Sequence, residues 1–166
     1  MKNFENISAE DLQILENAVP QIALLVAGAD GQVDKEETDW AVKLTHIRTY
    51  SGDKDVQDFY KEVEANFNIK LNDLMKNASK DTTKRQLGLI AELSKVNPIL
   101  AKLDPTVAYH VYHSYVTFAK SVAKAGGGFL GFGSISSAEE RVMGLPMITP
   151  IEQPKSDIAV EESEAE

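Results

Sequence analysis

The chain has 166 residues, enough for one domain with a substantial core. It contains no cysteine, which excludes disulfides, thiolate metal sites and cysteine nucleophiles. Its net charge of −9 argues against nucleic-acid binding, which needs a basic face. The N-terminus has no apolar run of signal-peptide length, and no run in the chain is long enough to span a bilayer, so we expect a cytoplasmic protein.

Apolar residues recur with helical spacing along almost the whole chain. Ser8 predicts the start of a first helix, Pro20 the first turn of a second, and Asp34 the cap of a third. After Gly52 the pattern predicts a fourth helix and then a short, separate helix over residues 69–75.

The second half of the chain continues the helical pattern. Asn97 before Pro98 predicts the end of a helix. The clearest prediction is a helix over residues 105–125, with Asp104 as its cap and Gly126 at its exit. Its predicted core stripe is Val111, Tyr115, Phe118 and Val122. No strand or hairpin pattern occurs, so we expect an all-α, single-domain helical bundle of about seven or eight helices over residues 1–150.

The last sixteen residues, 151–166, carry six acidic residues and one lysine. This segment is low in apolar residues and nearly all of its charges are negative, so it is predicted to be a disordered acidic tail. Removing residues 152–166 is therefore expected to leave the melting temperature nearly unchanged.

A short internal repeat links two places in the chain. The stretch "GQVDKEE" aligns without gaps on "GSISSAE" further along. Both read as a turn, an aliphatic anchor and a capping box. The side chain of Asp34 or Ser136 would accept a hydrogen bond from the backbone N–H three residues later. The side chain of Glu37 or Glu139 would accept one from the backbone N–H of that capping residue.

The acidic stretch "AGADGQVDKEETDW" has two open interpretations. An EF-hand loop is rejected, because Val26 and Gly28 stand where oxygen ligands are needed. A weaker Ca²⁺ or Mg²⁺ site could use Asp30, Asp34 and Glu37. The alternative is that Asp34 and Glu37 only cap a helix while Asp30 sits in the turn.

The glycine-rich stretch "GGGFLGFG" contains the spacing G-x-G-x-x-G, but no strand precedes it, so a dinucleotide site is rejected. It is either a connector whose apolar side chains tuck into the bundle, or an exposed segment that docks on a protein partner or a membrane surface. The side chains concerned are Phe129, Leu130 and Phe132. No nucleophile–base pair is recognisable, so the chain is not expected to be an enzyme.

At Ala29, Asp30, Gly31, Val33 and Glu37 the chain resembles the tellurite-resistance TerB-like family, whose motif is A-D-G-x-aliphatic-x-x-x-E. The resemblance covers residues 10 to 148. It implies a helical bundle with an acidic, cation-binding surface, associated with stress resistance rather than catalysis.

Members of that family typically carry a second copy of the motif, and "GSISSAEE" stands where a degenerate copy would lie. Phe132 occupies the place equivalent to Asp30, and Ser136 stands opposite Asp34. Glu139 is then the one acidic ligand left from the second copy.

Two functions follow as expectations. The first is a non-enzymatic, TerB-like acidic binding or scaffold module for an unknown protein partner, tuned by a divalent cation. The second is a membrane-surface or protein-complex adaptor that acts through residues 126–133. The second predicts that Phe129→Ser combined with Phe132→Ser abolishes binding to liposomes or to the partner.

Overall fold

Helix α1 (Ala9–Ala27) is the buried central element in the computed structural model, which describes residues 1–126 and 135–155. Ser8 caps it as predicted, accepting a hydrogen bond from the backbone N–H of Asp11 at 3.0 Å. Pro20 lies inside this single helix, so the prediction of two helices divided at Pro20 was wrong. A proline ring removes one backbone hydrogen bond. Here packing of α1 against its neighbours outweighs that loss, because nearly every residue from Ala18 to Ala27 is buried.

The described part of the chain contains six α-helices longer than one turn, a one-turn helix α5 and a short 3₁₀ helix at Lys2–Phe4. Besides α1 they are α2 (Lys35–Arg48), α3 (Lys54–Asn77), α4 (Thr82–Ser94), α5 (Asn97–Leu100), α6 (Pro105–Ala125) and α7 (Ser137–Val142). The all-α class is confirmed, and the count of longer helices is lower than predicted. Among these described helices, none is long and apolar enough to cross a membrane.

The short helix predicted over residues 69–75 is instead the last part of α3. No glycine or proline interrupts the chain from Lys54 to Asn77, so nothing local ends the helix earlier. Along this part Leu71 is buried while Ile69 is exposed, so the helix keeps one face on the core.

Helix α6 has the predicted bounds. The side chain of Asp104 accepts a hydrogen bond from the backbone N–H of Thr106 at 2.9 Å, and Pro105 occupies the first helical position. All four residues of the predicted stripe are fully buried. Packing of α6 against α1 and α2 places Gly126, which follows its last residue, beside Glu37 near the start of α2.

The segment after α7 returns across the bundle and is held by Asn97. The Asn97 side chain donates to the carbonyl of Met147 at 3.0 Å and accepts from the backbone N–H of Thr149 at 2.8 Å. Ile148 is buried, and Ile151 packs against the core. Residues 156–166 lie outside the described residues, so the disorder predicted for this acidic tail stays a prediction.

Candidate functional site

The loop between α1 and α2 carries the acidic motif and is shaped by a turn. Gly31 has a φ of +109°, a conformation that L side chains rarely adopt. One carboxylate oxygen of Asp30 accepts a hydrogen bond from the backbone N–H of Gln32 at 3.1 Å. Helix α4 fixes the loop from the side, because Arg85 donates to the carbonyl of Gly28 at 2.9 Å.

Asp34 caps α2 as predicted, accepting from the backbone N–H of Glu37 at 2.9 Å. The second half of the predicted capping box is not formed at this helix. The backbone N–H of Asp34 donates instead to the carbonyl of Ala27 at 2.9 Å. The Glu37 carboxyl group therefore accepts no hydrogen bond from the backbone of Asp34, and it points into the protein.

Glu37 is only 2% exposed and lies on Gly126, the residue that ends α6. A Cβ atom at Gly126 would come within 2.5 Å of Oε1 of Glu37 and within 3.0 Å of its Cδ. The backbone at Gly126 has a φ of −68°, which any residue can adopt. A side chain at Gly126 would therefore require the carboxyl group of Glu37 to move.

Glu139, at the start of α7, lies close enough to Glu37 for a hydrogen bond between the two carboxyl groups to shift both of their pKa values. Its helix forms the complete capping box predicted from the sequence. Ser136 Oγ accepts from the Glu139 N–H at 3.1 Å, and the Glu139 carboxylate accepts from the Ser136 N–H at 2.5 Å. The two copies of the repeat thus meet through their glutamates.

The two carboxyl groups titrate very differently. Burial, the hydrogen bond to Glu139 and the negative charges of Glu139, Asp34 and Asp30 raise the pKa of Glu37 from 4.5 to about 9. Burial also acts to raise the pKa of Glu139, but hydrogen bonds from Glu37 and Ser136 outweigh it and lower that pKa. At neutral pH the pair therefore holds one proton, carried by Glu37.

The structure brings together part of the predicted cation site. Glu37 and Glu139 lie close enough to shift each other's pKa, while Asp34 and Asp30 act on Glu37 through charge and accept hydrogen bonds from backbone N–H groups. Within residues 1–126 and 135–155, no three acidic or histidine side chains are placed to hold one metal ion. A shared ligand set of Asp30, Asp34, Glu37 and Glu139 therefore stays a prediction.

The predicted docking side chains, Phe129, Leu130 and Phe132, lie outside the described residues. In the sequence they follow Gly126, which lies next to the carboxyl group of Glu37. Its role as a docking surface stays a prediction.

The sequence pattern did not identify Gly126 and Arg85 as parts of this region. Gly126 reads as an ordinary helix exit, and its tight contact with Glu37 is a matter of tertiary packing. Arg85 carries no motif, although an arginine on the buried stripe of an amphipathic helix is unusual enough to notice.

No family model, curated protein or solved structure matches the chain. The all-α fold is therefore assigned from the structure alone, and the resemblance to TerB-like proteins stays a prediction.

Proposed function

We propose that the protein is a non-enzymatic binding module in which the pair Glu37–Glu139 exchanges its shared proton for a divalent cation, Ca²⁺ or Mg²⁺. In this proposal the protein is TerB-like, binds a protein partner and serves stress resistance, tellurite resistance included. The observation that carries the proposal is the approach of the half-buried Glu139 carboxyl group to the buried Glu37 carboxyl group, which raises the pKa of Glu37 to about 9.

The chemistry of the pair suits such an exchange. Carboxylate oxygens are the ligands that Ca²⁺ and Mg²⁺ prefer. A cation between Glu37 and Glu139 would neutralise both carboxylates, whereas the single proton leaves one negative charge. The nearby charges of Asp34 and Asp30, which already raise the pKa of Glu37, would attract a cation as well.

The position of the pair supports a role in transmitting the exchange. Glu37 belongs to α2 and Glu139 to α7, and the carboxyl group of Glu37 covers the exit of α6. Proton and cation differ in size and in the geometry that they require, so the exchange would alter how α7 is held against α2. A change at that point would act on the connection from α6 to α7, where the predicted docking side chains lie.

Thermal melting with and without metal tests the proposal. Wild type should be stabilised by Ca²⁺ or Mg²⁺ by about 2.7 kcal/mol at a hundredfold excess over the dissociation constant. Glu139→Gln should lose this gain. Glu140→Gln is the matched control, because it removes the same charge from an exposed neighbour on the same helix.

Ionic strength must be held constant with a monovalent salt, since a chain at −9 gains stability from any screening ion. Equal metal-induced shifts in wild type, Glu139→Gln and Glu140→Gln would show that screening alone is at work and would overturn the proposal.

A further inference from the structure

A groove runs between α1, the end of α3 and the first half of α4. Its volume is about 460 Å³, within the range of small-molecule sites. Four apolar side chains form much of its wall: Pro20, Leu24, Leu74 and Leu89. The groove can therefore take an apolar body the size of a small molecule.

The polar part of the groove is cationic, in a chain whose net charge is negative. Lys70, Lys84 and Arg85 line it together with a single acid, Asp73. Lys70 is partly neutralised by Glu16, which lies 3.8 Å away. The groove thus combines a positive charge excess with an apolar wall, which favours an anionic amphiphile.

Arg85 contributes a buried charge. Its side chain is 9% exposed, and within the described residues its hydrogen bonds go only to the main-chain carbonyls of Gly28, Gly31 and Ser79. Its Nε is buried without a partner in the same part of the chain. Main-chain carbonyls orient the guanidinium but do not cancel its charge, so the wall of the groove keeps a positive field.

Gly88, in the middle of α4, leaves the groove open. A Cβ atom at Gly88 would meet nothing within 4 Å, so no packing contact requires a glycine there. Glycine inside a helix costs about 1 kcal/mol relative to alanine. What the missing side chain provides is space in the groove, which Gly88 lines.

We propose that this groove binds a medium-chain aliphatic carboxylate. The carboxylate head lies at Lys84 and Arg85, and the hydrocarbon chain lies on the apolar wall beside Gly88. The site is separate from the pair Glu37–Glu139 and does not depend on the cation exchange proposed there.

Titration calorimetry with dodecanoate, below the concentration at which it self-associates, tests the proposal. Wild type should bind dodecanoate, and dodecanol, which lacks the charge, should bind at least about tenfold more weakly. Lys84→Gln should weaken dodecanoate binding about tenfold, while Lys120→Gln, an exposed lysine on α6, should not.

Gly88→Leu should abolish binding, because leucine suits a helix and its side chain would fill the groove. Gly144→Leu is its matched control, since a Cβ at Gly144 also meets nothing within 4 Å but lies outside the groove. Circular dichroism should show both variants folded.

Three outcomes would overturn the proposal. Equal binding by wild type and Gly88→Leu would place dodecanoate elsewhere on the surface. Equal affinity for dodecanol and dodecanoate would remove the role of the positive charge. A dimer of wild type that Gly88→Leu dissociates, without dodecanoate binding, would assign the groove to a second copy of the chain.

Discussion

The carboxyl groups of Glu37, in the first turn of α2, and of Glu139, in the first turn of α7, lie close enough for a hydrogen bond between them to raise the pKa of Glu37 and lower that of Glu139. A glutamate in the first turn of a helix is ordinarily ionised and faces solvent, where the helix dipole favours its charge. Glu37 is instead buried and protonated at neutral pH. Its protonation state is therefore tied to how these two helices pack.

The protonation of Glu37 predicts that stability falls as pH rises. Between pH 4.5 and about 9 the folded protein holds a proton on Glu37 that the unfolded chain has lost. Because the folded state then binds more protons, the free energy of unfolding should decrease by up to about 1.4 kcal/mol per pH unit in this window. Denaturant unfolding at pH 5, 7 and 8.5 measures it.

Glu37→Gln is the variant that isolates this effect, because its amide can still donate to Glu139 but does not titrate. It should be close to wild type at pH 5 and clearly more stable than wild type at pH 8.5. Parallel stability curves for the two proteins would mean that Glu37 does not retain its proton in the folded state.

The contact between Glu37 and Gly126 predicts that Gly126→Ala is destabilising. The added methyl group would lie 2.5 Å from Oε1 of Glu37, so the carboxyl group must move, at a cost of about 1–3 kcal/mol. In a Glu37→Ala background the same change should cost much less, because the obstructing atoms are gone. Denaturant unfolding of the four proteins gives the coupling energy.

Gly144→Ala serves as the control for this cycle, since a Cβ there has open space. If Gly126→Ala costs the same with and without Glu37, the requirement for glycine lies in the backbone of the helix exit and not in the carboxyl group.

Local signals in the sequence predicted the helix starts well. Ser8, Asp34, Asp104 and Ser136 all accept the capping hydrogen bond expected of them. Capping is decided within four residues, so it can be read without knowledge of the tertiary fold. The prediction of a break at Pro20 was wrong because it considered only the local loss of a backbone hydrogen bond. The packing that keeps α1 continuous comes from distant parts of the chain.

The candidate site was predictable only in part for the same reason. The repeat identified both Glu37 and Glu139, but their contact depends on how α2, α6 and α7 pack. Glu37 was expected to accept a hydrogen bond from the backbone N–H of Asp34. That N–H donates instead to the carbonyl of Ala27, seven residues earlier. That acceptor is supplied by the turn at the end of α1 and not by the motif itself.

Asp34 and Asp30 should differ in their effect on stability. Asp34→Ala removes the cap of α2 and should cost about 1 kcal/mol of unfolding free energy. Asp30→Asn should be nearly silent, because the amide oxygen can accept the same hydrogen bond from Gln32. Thermal melting in chelator measures both, and a large loss in Asp30→Asn would show that its charge supports the fold.

Proton release on cation binding is the sharpest test of the pair Glu37–Glu139. At pH 7.5 Glu37 holds its proton, since its pKa is about 9. A cation that takes both carboxylates must displace that proton, so about one proton should be released per cation bound. The apparent affinity should then rise about tenfold for each pH unit up to 9. Titration calorimetry in two buffers of different ionisation enthalpy counts the protons.

Glu37→Gln has no proton to release and should show none. A cation that binds wild type without releasing a proton would be held by ionised surface carboxylates, and the buried pair would then serve only to join α2 to α7.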